Sequence, residues 1–521
     1  MQADMLTCSG ENRIVTSQCL LDDESVLKLH ENAMAASRNT RSESRPVYST
    51  ALAIGERSRM FQPNAGARKA VTQLPPSPCR PLWALRIVLI SLVSVSGFAQ
   101  LLAPTPPMGW NSWDAYGTTI REGEVKANAD YMANHLRKAG WQYIIVDIEW
   151  YATNPKTHGY IPGGSVSMDR FGRFTPAVQR FPSAAGDQGF KPLADYVHSR
   201  GLKFGVHIMR GIPRRAVDQN LPIEGSRYHA ADIADKKDVC HWKGMEDTYG
   251  VNMAKPGAQD YYDSIARLYA SWGLDYIKAD DMSNPFHELE IPALSVALKK
   301  TGRPIVLSLS PGPAPLDKYQ ELKSNAQLWR ISGDFWDSWP KLKQQFDLAH
   351  AWESKVQPGA WPDADMLPLG KIGLRAEVGE PRMTAFTRDE QQTLMTLWAI
   401  FRSPLMFGGD LPSNDPYTLS LISNPEVLAV DQAGTGAHQV YRTAETITWL
   451  SDKPGSKSKY VALFNVGDQT RQVNLTWSDV GVKTTEASVR DLWTGKDLGS
   501  QKSLHLDLRP HSSVLYETTP R

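Results

Sequence analysis

The sequence predicts a (β/α)₈ TIM barrel followed by a C-terminal antiparallel β-sandwich domain. Three observations predict this fold. Strand-like and helix-like segments alternate from Leu101 onward, acidic residues recur where the strands end, and short strands separated by turns replace the alternation after about Gly434. The predicted boundaries are 100–425 for the barrel and 426–521 for the sandwich. No low-complexity linker separates the two, so we expect them to pack together.

Residues 274–282 show the barrel pattern most clearly. The segment begins with strand formers, ends in Asp280 and Asp281, and follows a helical segment at 256–269. Lys278 and Asp280 are two positions apart, so on a strand their side chains point to the same side. A neighbouring lysine keeps a carboxylate ionised, which suits a nucleophile, although a solvated ion pair at a strand end would show the same pattern.

Eight strand candidates occur at the spacing of a barrel, and most have a helix after them. The strands are expected at 107–111, 143–150, 204–209, 274–282, 304–310, 328–334, 360–367 and 405–410. An insertion at 210–255 delays the helix before the fourth strand. Helices are expected at 122–139, 190–200, 256–269, 340–354 and 387–402. Strands of the sandwich are expected at 440–443, 446–450, 460–465 and 513–517.

Acidic side chains lie where four of these strands end. They are Asp147, Glu149, Asp280, Asp281, Asp334, Asp363 and Asp365. One such aspartate would more often be a helix cap or a turn residue, but acids that end several barrel strands converge on one rim. His207 stands alone on its strand and no histidine cluster has metal spacing, so we predict neither a metal nor another cofactor. Paired carboxylates without a metal suit glycoside hydrolysis, with one as nucleophile and one as acid/base.

The composition gives no sign of a charged partner. The formal net charge is +1, so we expect no nucleic acid and no strongly charged protein partner. The chain has 16 Trp and 18 Tyr, which suit sugar binding but are more often simply part of the core. The expected partner, an oligo- or polysaccharide substrate, follows from the glycoside hydrolysis that the paired carboxylates indicate.

The first hundred residues hold the pattern of an export signal. Residues 1–79 are polar and lack periodicity, and we interpret them as disordered or as preceding the true translation start. Residues 80–99 combine a basic start with an apolar run and small residues, which predicts a signal peptide cleaved near Ala99 and a secreted or periplasmic protein. A membrane anchor is the alternative, but Arg86 interrupts the run. Cys240 is then alone in the mature chain, as a buried residue or a free thiol.

Four motifs resemble glycoside hydrolase family 27, whose best-known members are α-galactosidases. The motifs are Met-Gly-Trp-Asn-Ser-Trp at 108–113, Lys-Ala-Asp at 278–280, Trp-Arg-Ile-Ser-Gly-Asp at 329–334 and Trp-Pro-Asp-Ala-Asp-Met at 361–366. The resemblance covers roughly 103–515, and the order and spacing of the motifs make it specific for the family.

The resemblance implies that Asp280 is the catalytic nucleophile and Asp334 the acid/base. Retention of configuration then requires carboxyl groups about 5–5.5 Å apart. We expect Lys278 to keep Asp280 ionised, and Asp334 to begin protonated in a buried site and to act later as a base.

The resemblance also implies a substrate-binding set around this pair. Arg330 matches the arginine that binds a hydroxyl near the reacting carbon, and Trp113 matches an aromatic wall of the pocket. Asp147 and Lys278 match ligands of the distal hydroxyls, and Asp365 matches a further pocket acid.

Three positions depart from the family's α-galactosidases. Asp147 is followed by Ile148 and then Glu149, where those enzymes usually carry two adjacent acids. His207 stands in place of a common tyrosine, and residues 308–313 lack a common acid. We expect all three positions to border the part of the sugar away from the bond that is cut, with Glu149 and His207 contacting substrate. The catalytic pair is thus intact while the wall that sets sugar specificity is altered.

The leading hypothesis is a secreted, retaining exo-glycosidase that hydrolyses terminal α-galactosyl residues. The alternative within the family is the same chemistry on another sugar, either α-glucosyl, as in isomalto-dextranases, or β-L-arabinopyranosyl. An alternative of another class is a carbohydrate-binding protein without catalysis. The presence of both Asp280 and Asp334, beside Lys278 and Arg330, argues against that alternative, because a binding protein needs no catalytic pair.

Overall fold

The computed structural model describes residues 101–242 and 244–521. Within them, eight parallel strands form one sheet. These strands are β1 (Met108–Asn111), β2 (Tyr143–Val146), β3 (Lys203–Met209), β4 (Tyr276–Asp280), β5 (Val306–Leu309), β6 (Leu328–Arg330), β7 (Trp361–Asp363) and β8 (Leu405–Phe407). Seven of them lie within the predicted segments, and β3 begins one residue before its predicted segment.

The strands close into a barrel. Their order is β7-β6-β5-β4-β3-β2-β1-β8, so strands that follow one another in the chain are neighbours and β8 lies beside β1. A parallel bridge between Leu367, just after β7, and Phe407 of β8 joins the two ends. There the Leu367 amide donates to the Met406 carbonyl at 2.7 Å. The predicted (β/α)₈ barrel is confirmed.

Helices cover the outside of the barrel. They are α1 (Glu122–His135), α2 (Lys191–Ser199), α3 (Ala258–Ser271), α4 (Glu290–Lys300), α5 (Tyr319–Asn325), α6 (Trp339–Trp352), α7 (Arg388–Phe401), α8 (Pro416–Ser423) and α9 (Pro425–Ala433). Because both faces of the sheet are covered, its strands are nearly continuous apolar runs. All of β2 is buried, and only Lys203 of β3 is exposed. Polar residues are therefore concentrated at the strand ends.

The insertion after β3 forms a small subdomain at the rim. Its strands Ala234–Asp235 and Ile212–Pro213 both pair antiparallel with Thr248–Val251. Short helices at Arg214–Asp218 and Ala230–Ile233 complete it. This subdomain accounts for the delay before α3 that the sequence predicted.

Eight antiparallel strands form the C-terminal domain. They are β9 (Thr435–Arg442), β10 (Thr446–Asp452), β11 (Lys459–Asn465), β12 (Arg471–Thr476), β13 (Ala487–Asp491), β14 (Lys496–Gln501), β15 (Ser503–Leu508) and β16 (Ser513–Pro520). Six form a sheet in the order β9-β10-β11-β16-β13-β14, while β12 pairs with β15. Val461 and Leu463 of the large sheet are buried in one cluster with Val473 and Leu475 of the small one, as in a sandwich.

Helix α7 joins the barrel to the sandwich. It begins with a capping box, in which the Glu390 amide donates to Thr387 Oγ1 (3.2 Å) and the Thr387 amide donates to the Glu390 carboxylate (2.8 Å). Every residue from Thr393 to Phe401 is buried. Thr393 Oγ1 donates to the carbonyl of His511 in the sandwich at 2.7 Å. The two domains therefore pack directly on one another, as the missing linker predicted.

Some predictions lie outside the described residues, namely those on the extension at 1–79, the signal peptide at 80–99 and cleavage near Ala99. Within the described part of the chain, no helix is long and apolar enough to cross a bilayer. Cys240 is buried, and burial raises the pKa of its thiol to about 12. Of the two expectations for Cys240, a buried residue or a free thiol, the structure agrees with the buried residue.

Candidate active site

A cavity of about 470 Å³ opens at the C-terminal ends of the barrel strands. It is lined by Trp113, Asp147, Ile148, Tyr160, His207, Trp242, Lys278, Asp280, Asn284, Pro311, Gly312, Asp334, Met366 and Glu377. Both predicted catalytic acids are among these residues. A larger cavity of about 760 Å³ lies against the sandwich, but its charged groups pair with one another, as Arg490 does with Glu426 at 2.8 Å. The chemistry therefore belongs to the rim of the barrel.

Asp280 is held at the end of β4 by two hydrogen bonds. His207 Nε2 lies 2.9 Å from Asp280 Oδ2, and the Asp281 amide donates to Oδ1 at 3.0 Å. Burial alone would raise the pKa of Asp280, but the hydrogen bond from His207 and the charge of Lys278 outweigh it and lower the pKa. Asp280 is thus an ionised carboxylate that faces the cavity, as a nucleophile must be.

Arg210 fixes the chain just beyond the nucleophile. Its Nε donates to the Asp281 carboxylate (3.0 Å) and to the Asp281 carbonyl (2.9 Å). Its Nη1 donates to Glu290 at 2.7 Å and to Asp238 at 2.8 Å. Asp281 has the left-handed backbone conformation (φ 55°), which a non-glycine residue adopts only when its surroundings hold it there. The guanidinium therefore helps to keep the Asp281 amide directed at Asp280.

The same group of residues is the place where the described chain could offer ligands to a metal. One atom each of Asp238, His287 and Glu290 lies within 4.8 Å of the other two. Arg210 already donates hydrogen bonds to the carboxylates of Asp238 and Glu290, so its guanidinium supplies the positive charge at this place. The catalytic acids have no place in this group.

Asp147 and Lys278 form a buried ion pair in the cavity wall. Lys278 Nζ lies 2.9 Å from Asp147 Oδ2, which also accepts from Asn111 Nδ2 at 2.7 Å. The Ile148 amide donates to Oδ1 at 2.8 Å. Burial opposes ionisation of Asp147, but the charge of Lys278 outweighs it and lowers the pKa. The pair therefore presents a fixed acceptor and a fixed donor, which suits binding to neighbouring hydroxyls of a sugar.

Asp334 lies at the mouth of the cavity and differs from the prediction. Its side chain is 57% exposed, so the expected burial of this acid is wrong for the free protein. The reason is that Asp334 follows β6 by four residues and stands on the rim, above the layer where Arg330 is buried. Arg330 Nη2 lies 3.2 Å from Asp334 and 2.8 Å from Asp365, so one guanidinium joins both predicted acids.

Glu149 does not line the cavity, contrary to the prediction. The residue has φ 60°, and its carbonyl accepts from Arg180 Nη1 at 2.6 Å, so the chain turns away from the rim after Ile148. Glu149 is buried, and burial together with the nearby charge of Asp247 raises its pKa to about 8. The apolar Ile148, and not Glu149, therefore lines the cavity wall beside Asp147.

His207 lines the cavity as expected, and it also contacts the nucleophile, which the sequence did not predict. Strands β3 and β4 pair with His207 opposite Lys278, so both side chains enter the barrel at one level. The imidazole reaches along the sheet to Asp280 at 2.9 Å. After β5, the third departure from the family pattern, Pro311 and Gly312 line the cavity where an acid is usual.

The His207 contact yields a prediction about pH. The variant His207→Phe keeps a ring but removes the hydrogen bond that lowers the pKa of Asp280, so that pKa should rise. Activity needs ionised Asp280 and is lost as the pH falls through its pKa. The acid limb of the kcat/KM profile should therefore move to higher pH in the variant. Profiles measured with a glycosyl fluoride, whose leaving group needs no proton, check this, and an unmoved acid limb contradicts it.

Four lining residues were not found by sequence reasoning. They are Tyr160, Trp242, Asn284 and Glu377. Three of them lie in long loops, namely the β2–α2, β3–α3 and β7–α7 connections. Loops of this kind show no periodicity, and the only signal in the sequence was the number of aromatic residues.

Comparison with known proteins supports the same chemistry. Residues 105–217 and 212–433 match the family model described as Alpha galactosidase A, and residues 444–518 match the alpha galactosidase C-terminal beta sandwich domain. An α-galactosidase of Cyamopsis tetragonoloba is 31% identical over 429 residues, which are 81% of this chain and 87% of that protein. Alpha-galactosidase 2 of Arabidopsis thaliana is 29% identical over 428 residues, 81% of this chain and 91% of that protein.

Two solved structures of related enzymes bracket these sequence identities. A wild-type β-L-arabinopyranosidase of glycoside hydrolase family 27 from Geobacillus stearothermophilus is 51% identical, with a TM-score of 0.78, and covers 80% of this chain and 97% of that one. The α-galactosidase I of Mortierella vinacea is 25% identical, with a TM-score of 0.61, and covers 80% and 98%. Together with the carboxylate pair at the rim, these matches show that the chain is a glycoside hydrolase and a member of glycoside hydrolase family 27.

Proposed function

We propose that this enzyme removes terminal β-L-arabinopyranosyl residues with retention of configuration, and α-galactosyl residues as its second substrate. The observation that carries the sugar preference is Ile148, an apolar side chain in the cavity wall directly beside Asp147. β-L-Arabinopyranose and α-D-galactopyranose share their configuration from C1 to C4 and differ at C5, where galactose carries a hydroxymethyl group. An isoleucine offers no hydrogen bond to that hydroxyl and leaves it desolvated, so the sugar without it fits better.

The mechanism follows from the two acids. Asp280 attacks the anomeric carbon while Asp334 gives its proton to the glycosidic oxygen, so the C–O bond breaks and a covalent glycosyl-enzyme forms. Asp280 then carries no charge, and ionised Asp334 takes a proton from the attacking water, which releases the sugar with its original configuration. Burial of Asp280 among His207 and Lys278 supports the first role, and the open position of Asp334 at the mouth supports the second.

The α-galactosyl activity is proposed on a separate observation. The ion pair of Asp147 and Lys278 faces the cavity beside the positions that depart from the family pattern. This pair would bind hydroxyls that both sugars carry in the same configuration. In addition, the named relatives from Cyamopsis tetragonoloba and Arabidopsis thaliana are α-galactosidases. Galactosides should therefore be cleaved, but more slowly.

A panel of nitrophenyl glycosides tests the proposal. We expect the β-L-arabinopyranoside to give the highest kcat/KM, the α-galactoside a lower one and the α-glucoside none above background. Faster hydrolysis of the α-galactoside would contradict the preference. Activity on the α-glucoside alone would favour the isomalto-dextranase alternative, and no hydrolysis at all would favour a binding protein.

The Ile148→Asp variant tests the residue that carries the preference. An acid at this position can accept a hydrogen bond from the galactose hydroxymethyl group, while it places an unpaired charge beside arabinose. The ratio of kcat/KM for galactoside over arabinopyranoside should rise about 10- to 100-fold, as expected for one hydrogen bond to a charged group. Ile148→Val is the matched control because it stays apolar, and its ratio should stay near that of the wild type. An unchanged ratio in Ile148→Asp contradicts the assignment.

A further inference from the structure

We propose that the cavity contains a second subsite, beside Asp334, that binds a neutral sugar as the leaving group through Glu377 and Tyr160. The inference rests on the proposed function and specifies the kind of glycoside that the site takes. The preferred substrate is then a di- or oligosaccharide, and alkyl or aryl glycosides use the subsite poorly.

The position of Asp334 marks the side on which the leaving group lies, since this acid must protonate the glycosidic oxygen. Asp334 follows β6, and Glu377 lies in the loop after the neighbouring strand β7. Both residues line the cavity. In keeping with this placement, burial and the charge of Asp334 raise the pKa of Glu377. Glu377 therefore stands on the leaving-group side.

Tyr160 reaches the same wall from another loop. The His158 amide, two residues earlier, donates to the Ala376 carbonyl at 3.2 Å, so the loops that carry Tyr160 and Glu377 are joined. The Tyr160 ring stacks on Trp113, with ring centroids 6.4 Å apart and planes at 20°. Tyr160 is thus held by one aromatic contact and by one loop-to-loop hydrogen bond.

The wall is anchored below by Arg375, two residues before Glu377. Arg375 donates to Thr119 Oγ1 at 3.0 Å and to the Glu124 carboxylate at 2.6 Å. Its amide donates to the Ala115 carbonyl at 2.9 Å. These contacts tie the β7–α7 loop to the start of α1, so a ligand meets a preformed surface and not one that must first be ordered.

The chemistry of this wall matches a sugar. Among the side chains that the structure describes, neither the Glu377 carboxylate nor the Tyr160 hydroxyl has a hydrogen-bond partner, and both residues are only partly exposed. A carboxylate accepts hydrogen bonds and a phenol both donates and accepts, which complements the hydroxyls of a pyranose. A methyl or aryl leaving group would leave the Glu377 carboxylate and the Tyr160 hydroxyl without hydrogen-bond partners. Asp334 and Glu377 would repel an acidic sugar, so the leaving group is neutral.

The terminal sugar does not need these two residues. The ion pair of Asp147 and Lys278 offers partners to its distal hydroxyls, and Arg330 lies beside the acid/base. Glu377 is an additional polar group in the same cavity, and Tyr160 lies between it and the terminal-sugar set, because the charges of both Glu377 and Asp280 act on the Tyr160 hydroxyl.

Three substrates with one glycosyl group separate the possibilities. The glycosyl group is whichever of arabinopyranosyl and galactosyl the wild type cleaves faster. Its leaving group is glucose linked through O6, methanol or fluoride. The disaccharide needs both the subsite and a proton, the methyl glycoside needs only the proton, and the fluoride needs neither. The variants are Glu377→Gln, Tyr160→Phe and, as a control on the same loop, Glu380→Gln, whose side chain is 87% exposed.

We expect Glu377→Gln to lower kcat/KM for the disaccharide about 10- to 100-fold, mainly through KM, because a hydrogen bond to a charged group is lost. Tyr160→Phe should lower it about 3- to 10-fold. For Glu377→Gln, the loss on the disaccharide should exceed the losses on the methyl glycoside and the fluoride at least about tenfold. Glu380→Gln should behave like the wild type on all three.

Other patterns overturn the inference. Equal losses on the disaccharide and the methyl glycoside, with the fluoride spared, would mean that Glu377 acts only on the proton of Asp334. Equal losses on all three substrates would mean that Glu377 contacts the terminal sugar or stabilises the fold. If the wild type hydrolyses neither glycosyl fluoride, the proposed function itself fails, and the subsite fails with it.

Discussion

Asp280→Asn is expected to abolish turnover of every substrate, with kcat at least ~10⁴-fold below the wild type. The amide cannot attack the anomeric carbon, and Asp280 is the carboxylate that His207 (2.9 Å) and the Asp281 amide (3.0 Å) hold at the cavity. Good leaving groups will not restore activity, because the missing step is the attack itself. Initial rates on the nitrophenyl glycoside and on the glycosyl fluoride measure this loss.

Asp275→Asn is the matched control for that variant. Asp275 lies just before β4, at the N-terminal end of the strand and away from the catalytic rim, where it pairs with His198 at 2.7 Å and Arg303 at 2.5 Å. Changes at the N-terminal end of the barrel strands affect stability and not chemistry. Asp275→Asn should therefore keep its activity with a lower Tm. Residual turnover of Asp280→Asn above about 1% of the wild type would contradict the nucleophile assignment.

Asp334→Asn should lose activity according to the leaving group. Hydrolysis of unactivated glycosides should fall about 10²- to 10⁴-fold, as expected when general acid catalysis is removed. A glycosyl fluoride needs no proton, so its first step should continue and the glycosyl-enzyme should accumulate as a burst. Azide is an anion that needs no general base, so it should restore turnover of the fluoride and give a glycosyl azide of retained configuration.

The exposed position of Asp334 makes this rescue possible, because a small anion can enter a site whose acid is 57% exposed. Azide should have no such effect on the wild type, which serves as the control. Equal losses on activated and unactivated glycosides without any azide effect would show that Asp334 is not the acid/base. The same result would remove the basis for a leaving-group subsite at Glu377.

Much of the barrel could be predicted because its signals are local. The strand-forming run at 274–282 ends in acids within one short segment, and so does the run at 143–150. Closure of the barrel then brings these ends to one rim, which places Asp147, Asp280 and Asp334 around a single cavity without any knowledge of side-chain contacts.

The errors concern features that depend on tertiary structure. His207 lines the cavity as predicted, but its contact with Asp280 was missed, because it depends on the register that puts His207 opposite Lys278. Glu149 was assigned to the wall, but a left-handed residue turns the chain after Ile148. Neither the reach of a ring along a barrel nor a single backbone angle follows from residue spacing.

The sandwich was recognised from only half of its strands. Strands such as β10 and β11 are apolar and buried, so their composition identifies them. Strand β14, with the sequence Lys-Asp-Leu-Gly-Ser-Gln, is exposed at five of its six positions and lies at an edge of its sheet. A polar edge strand cannot be distinguished from a loop by its composition.

The central claim is that Asp280 becomes glycosylated during the reaction. The most direct measurement is mass spectrometry of peptides after incubation with the 2-deoxy-2-fluoro glycosyl fluoride of the preferred sugar. The fluorine at C2 slows both steps through the positive charge of the transition states, while the good leaving group lets the first step proceed. We expect one sugar per chain, attached to Asp280 and absent from Asp280→Asn. A label on another residue, or active enzyme that never acquires a label, would contradict the account.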